Sequence, residues 1–184
     1  MKRMFKNYTE GVEIEIVDRL VDIYNSLASN DVEHKVSSIR TSTTTWIDKS
    51  QHQDIYHLIH SLALQANNDA YGFHIDDIEA CQFGLYEESA KGHYTWHIDF
   101  KGFNETQDKK MRKISVVIQL SEPTEYEGGE LQLKYSNYSR QEKSDILKKG
   151  SVITFPSFVE HRVTPVTKGK RISLIGWVVG DAWK

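Results

Sequence analysis

The side chains with the widest chemical reach in this 184-residue chain are its eight histidines. Three of them stand two positions before an aspartate: His52/Asp54, His74/Asp76 and His97/Asp99. Imidazole nitrogen and carboxylate oxygen bind divalent cations, and the same groups serve as general acids and bases. Spacing alone does not choose among the three pairs, but the element carrying each pair does. In a strand, residues two apart point to the same side, so both ligands face one way. In a helix the same spacing turns them about 200° apart. His52 and Asp54 open a polar helix start, and His74 and Asp76 lie in "YGFHIDDIE", between a helix and a strand. His97 and Asp99 lie in "YTWHIDF", where Tyr94, Trp96 and Phe100 make a strand able to hold a ligand pair rigid and partly dry. A hydrogen-bonded core pair would give the same pattern. His57 and His60 share a helix at i, i+3, away from its apolar stripe, and read as a solvated surface.

A distant partner is His161, at the end of "GSVITFPSFVEH". Further on, "RISLIGW" places Arg171, Ser173, Ile175 and Trp177 on one face by the period-two rule. Reading "PVTKGK" as a turn gives a hairpin that sets this strand beside the one carrying His161. An arginine sharing a face with a serine and a tryptophan points to a carboxylate pocket, since its planar fork pairs with a carboxylate at two points. Two histidines and one aspartate match the facial triad that leaves open positions on non-haem Fe(II). A zinc hydrolase also uses three such ligands. Arg171 separates the two chemistries, because chelating a dicarboxylate through the metal calls for a buried cation and zinc hydrolysis does not.

These residues need a frame. Residues 11–28 place Ile16, Leu20, Ile23 and Leu27 at helical spacing, and residues 52–67 repeat the pattern with Ile55, Leu58, Ile59, Leu62 and Ala66. "SSIRTSTTTWID" between them is rich in β-branched residues and reads as a strand. From residue 79 the chain becomes short strands separated by Gly-containing turns, so the expected class is α+β, mainly β, with helices packed on one face of a β-sandwich or jelly roll. We expect a single domain over 1–184, with helical support and one site-bordering strand in 1–78 and the jelly-roll core in 79–184. The long irregular stretch "KGFNETQDKKM", 101–111, is a candidate lid.

Composition narrows the classes. A net charge of −3 and a pI near 6.2 give no global case for nucleic acid, and the local run "KKMRK" reads as a solvated loop. The single Cys81 suits a reducing compartment, no apolar h-region follows the basic start, and apolar runs such as "ISLIGWVVG" fall short of a membrane span. The expectation is a soluble cytoplasmic protein with no membrane partner.

The ordered set "HID" at 97–99, "GGEL" at 128–131, "FPSFVEH" ending at 161 and "RIS" from 171 resembles the 2-oxoglutarate and Fe(II)-dependent oxygenases, and within them the prolyl 4-hydroxylase-like branch. The resemblance covers residues 79–180, with a weaker likeness at "RTSTTTW", 40–46. It implies a double-stranded β-helix supported by the N-terminal helices. His97, Asp99 and His161 would bind Fe(II), Arg171 would hold the distal carboxylate of 2-oxoglutarate with help from Ser173, and Tyr86 would line the cosubstrate pocket. Trp177 would wall it. A tyrosine that reaches the cosubstrate in several prolyl hydroxylases is replaced here by Gln119. The implied reaction consumes O2, releases succinate and CO2, hydroxylates an unactivated C–H bond and draws on ascorbate as reductant. A prolyl residue in a peptide or protein is the implied substrate, met by Arg40, Trp46 and Arg112. The same chemistry on a free amino acid, small metabolite or nucleobase, and a jelly-roll binding module without turnover, stay open as alternatives.

Overall fold

In the computed structural model, which describes residues 5–29, 32–100, 110–134, 141–143 and 148–182, alternation along the strands sorts side chains into two cores. The strands are β1 (Lys6–Tyr8), β2 (Glu33–Val36), β3 (Arg40–Ile47), β4 (Asp77–Glu87), β5 (His93–His97), β6 (Lys110–Gln119), β7 (Tyr126–Gly128), β8 (Leu131–Lys134), β9 (Gln141–Lys143), β10 (Val152–Pro156), β11 (Glu160–Val163) and β12 (Val166–Asp181). The helices are α1 (Ile14–Leu27) and α2 (Gln53–Ala66). Strand order is β1-β10-β6-β12-β4-β3-β5-β11-β8-β9, with β2 on β3 and β7 on β12. The sheet curls at the two-residue junction Arg40↔Tyr94 and Thr41↔His93, which folds β5, β11 and β8 over the larger leaf.

One core lies between the helices and the larger leaf. Ile114, Val116 and Ile118 of β6 and Leu174 and Val178 of β12 meet Val17, Leu20, Ile55 and Ile59 there. α2 packs so closely that a Cβ on Gly176 of β12 would lie 2.5 Å from Ile59 Cγ2. The second core fills the space between the leaves, where Tyr86, Val117 and Phe155 meet Leu133, Val159 and Val163. This is the jelly roll with helices on one face expected from the strand pattern, in the double-stranded β-helix form that the resemblance implies.

Four expectations change. Leu20, Ile23 and Leu27 of α1 meet the core as expected, joined by Val17 and Tyr24, whereas Ile16 is exposed because Val17 takes the core-facing position of that turn. "PVTKGK" is not a hairpin turn. β12 already begins at Val166 and pairs with β4, β6 and β7, whereas β11 pairs with β5 and β8, so Arg171 and His161 stand on opposite leaves. β5 ends at His97, leaving Asp99 just beyond it. β6 begins at Lys110, which takes Lys110 and Met111 out of the candidate lid; residues 101–109 lie outside the described residues.

Candidate metal centre

The position of each ligand follows from pairing. His97 and His161 are direct partners across the antiparallel β5–β11 pair, with ring centroids 4.1 Å apart. Asp99 is held past the strand end by its own backbone, whose N–H donates to Ser157 O at 3.0 Å. Strand alternation therefore sets His97, and a loop hydrogen bond sets Asp99. The three ligand atoms lie within 4.8 Å of one another, the one such cluster of His, Cys, Asp or Glu among the described residues.

The protonation pattern suits a cation. Nδ1 of His97 lies 2.8 Å from Thr95 O, and Nδ1 of His161 lies 2.9 Å from Val159 O. A carbonyl only accepts, so both Nδ1 atoms carry a proton, which leaves Nε2 of each ring as the atom that can face a metal. Those Nε2 atoms face Asp99, at 3.8 Å from Oδ1 for His97 and 3.6 Å from Oδ2 for His161. Burial, reinforced by His161, lowers the His97 pKa to about 4, so the ring is neutral near pH 7. Burial pushes the Asp99 carboxyl up, but His161, His97 and the Ser115 hydroxyl together outweigh it and hold the group below the usual carboxylate range. Ser115 Oγ donates to Asp99 Oδ2 at 2.7 Å and is itself 3.0 Å from Ser157 Oγ, both serines being fully buried. Two imidazoles and one carboxylate fit a divalent ion that accepts nitrogen and oxygen, with further positions left for other ligands.

An open-mouthed cleft lies over the triad. It brings together nearly every expected site residue: Arg40, Tyr86, Arg171, Ser173 and Trp177 line it with the triad. Arg171 is 2% exposed, stacks 5.9 Å from its register partner Tyr86, and pairs with no acidic side chain among the described residues. Arg40 lies 4.8 Å over the Tyr94 ring, which stacks in turn on His97, and its Nε and Nη2 donate to Ser42 and Gln82. Trp46 is 47% exposed and leans on Trp177 at 6.0 Å.

Arg112 stands apart. It makes two hydrogen bonds to Glu79 and stacks 4.1 Å over Trp177, so its charge already has a partner. Its neighbours in the basic run, among the described residues, are also engaged rather than forming a solvated loop: Lys110 binds Asp76 and Asp181, and Lys113 is buried. The competing pairs are elsewhere. His74, 71% exposed, neighbours Asp76 and Asp181, while His52 precedes α2 and Asp54 binds Arg19. Sequence reasoning missed Ser115, Ser157 and Gln82. Ser115 had a readable signal, since it alternates with Ile114 and Val116 and so marks a polar inner face.

Residues 81–179 match the 2OG-Fe(II) oxygenase superfamily. A PKHD-type hydroxylase of Alteromonas mediterranea is 37% identical over 98 residues, 52% of this chain and 41% of the relative. One of Prochlorococcus marinus is 36% identical over 95 residues, 51% of this chain and 40% of the relative. The matches thus span less than half the length of these curated relatives. Among solved structures, a Pseudomonas putida prolyl-4-hydroxylase superimposes with a TM-score of 0.78 at 22% identity, covering 98% of this chain and 95% of the other. A Trichoplax adhaerens prolyl hydroxylase, solved with a hypoxia inducible factor oxygen degradation domain peptide fragment, gives 0.74 at 20% identity, covering 95% and 83%. Likeness at these identities establishes the fold.

Proposed function

The chain belongs to the 2OG-Fe(II) oxygenase superfamily, and from that membership we propose that it is an Fe(II)- and 2-oxoglutarate-dependent hydroxylase acting on a prolyl residue of a peptide or protein. The observation that carries the reading is Arg171: a guanidinium 2% exposed, in the same cleft as the triad, with no acidic partner among the described residues. A buried charge is strongly disfavoured unless paired, so the cleft is built to receive an anion. The distal carboxylate of 2-oxoglutarate supplies it, with Ser173 and Tyr86 beside it on β12 and β4. Fe(II) and 2-oxoglutarate, when bound, supply the oxidative decarboxylation that consumes O2 and yields succinate, CO2 and the oxidant for hydroxylation, with ascorbate as reductant. His97 and His161 keep their Nδ1 protons on backbone carbonyls, and Asp99 stays ionised through its neighbours. The walls of Trp177, Val117 and Phe155 exclude water from the reacting centre.

The substrate reading rests on β3. Arg40, Ser42, Thr44 and Trp46 share its cleft-side face, giving an extended chain a hydrogen-bond donor at one end and a half-exposed indole at the other. Polyproline segments are preorganised and favour aromatic-lined grooves. The peptide held by the Trichoplax adhaerens neighbour supports the same class. Arg112, bound to Glu79, would contact substrate through its stack with Trp177 rather than through a free charge. We place the protein in the cytoplasm on its single cysteine, which is buried with its thiol pushed up to about 12 and is therefore inert. No helix among the described residues is long and apolar enough to cross a membrane.

Arg40 also favours a second reading, since a guanidinium without an acidic partner would hold the carboxylate of a free amino acid equally well. The test incubates the protein with Fe(II), ascorbate, 2-oxoglutarate and proline-rich peptides while following succinate and peptide mass. A gain of one oxygen, lost when proline is replaced by alanine, is expected. Succinate release coupled to free amino acids or nucleosides, and to no proline peptide, would overturn the prolyl assignment.

A further inference from the structure

Tyr126 and Gln119 form a buried polar pair beside Arg171. Tyr126 opens β7, which pairs with the start of β12 through Gly169, and Gln119 ends β6 opposite Ser173. The following turn draws these groups together. Gly128 and Gly129 have φ of +74° and +59°, and a Cβ on Gly129 would lie 3.1 Å from Arg171 Cδ and 3.5 Å from Tyr126 Cδ2. Glycine at 129 is thus required both by conformation and by the close approach of the arginine stem and the tyrosine ring.

The hydrogen bonds give the pair a direction. Gln119 Nε2 donates to Ser121 O at 3.1 Å and to Tyr126 Oη at 3.0 Å. A backbone carbonyl only accepts, so the amide cannot be turned over and Tyr126 Oη is the acceptor. The phenolic proton of Tyr126 then has no acceptor among the described residues, and neither has the hydroxyl of Ser173. Keeping an amide at 119 leaves its Oε1 buried without a donor, although Val117 shows that the same face of β6 carries an aliphatic residue. That unfavourable arrangement has one evident return, the orientation of the Tyr126 hydroxyl.

Given the assignment of 2-oxoglutarate to the Arg171 pocket, on which this rests, we propose that the Tyr126 hydroxyl binds the distal carboxylate together with Arg171, and that Gln119 is the residue positioning it. A tyrosine on β7 thereby supplies the hydroxyl that the residue at 119 does not.

The test titrates 2-oxoglutarate and oxalate into the full chain loaded with Mn(II), by calorimetry, before and after Tyr126→Phe. Oxalate chelates the metal but has no chain to reach Arg171. The variant keeps the ring, so the fold and the Mn(II) affinity should hold. The Kd for 2-oxoglutarate should rise at least about tenfold, the effect of one hydrogen bond to a charged acceptor, while that for oxalate stays unchanged. An unchanged Kd for 2-oxoglutarate, or equal losses for both ligands, would overturn the assignment of Tyr126 alone. Failure of the unmodified protein to bind 2-oxoglutarate, with oxalate still bound, would overturn the reading of the pocket as well.

Discussion

The two faces of β6 and β12 carry different residues and meet different neighbours. Toward the helices, Ile114, Val116, Ile118, Leu174 and Val178 make an aliphatic layer on α1 and α2. Toward the cleft, one residue away in each case, stand Ser115, Val117, Gln119, Arg171, Ser173 and Trp177. Stability and chemistry are thus carried by alternate residues of the same two strands. The pleat permits this because successive side chains leave the backbone on opposite sides. Substitutions on the helix side should therefore change stability with little effect on binding, and substitutions on the cleft side should do the reverse.

The largest effect is expected at the triad. His97→Ala, Asp99→Ala or His161→Ala should abolish Fe(II)-dependent succinate release, and calorimetry with Mn(II) should show no specific site, while circular dichroism reports an intact β-fold. Full metal affinity in any of the three would break the comparison on the cleft side.

On the other face, Ile59→Ala removes the side chain that lies on Gly176. A buried Ile→Ala change costs about 2–5 kcal/mol, which should lower the melting temperature by roughly 4–20 °C for a chain of this size. The Kd for Mn(II), measured well below that transition, should stay the same.

Arg171→Ala should act in the opposite sense. Loss of two charge-assisted hydrogen bonds of about 1.5–3 kcal/mol each predicts at least a hundredfold rise in the Kd for 2-oxoglutarate. The melting temperature of the ligand-free protein should hold or rise, because a buried unpaired charge has been removed. A clear fall would show that Arg171 is a structural partner rather than an anion receptor.

Ser115→Ala tests the support behind Asp99. Losing a hydrogen bond to a metal-ligating carboxylate lowers metal affinity by about 10–100-fold in comparable sites. Ser115→Thr, which keeps the hydroxyl, should restore most of it in the same Mn(II) titration. The smallest effect is expected at His74→Ala, which lies outside the cleft and should leave Mn(II) affinity and turnover unchanged.

The sequence by itself determined the ingredients and their faces. The alternation in "RISLIGW" put Arg171, Ser173, Ile175 and Trp177 on one side, and all four line the cleft. The helices, the strand at 40–47 and the mainly β architecture were legible for the same reason, since local periodicity reports which side of an element is buried. Tertiary structure alone decided what those faces meet. The register His97↔His161 brings the strand-borne pair to its third ligand, and it is a pairing between residues 64 positions apart that no local pattern encodes. The chain crosses between leaves after β11, so Arg171 faces the triad across the cleft instead of lying beside His161 on a shared hairpin. Tyr126 reaches Gln119 because β7 and β6 both pair with β12. Periodicity fixes directions along one element, whereas these contacts depend on hydrogen-bond pairing between strands far apart in sequence.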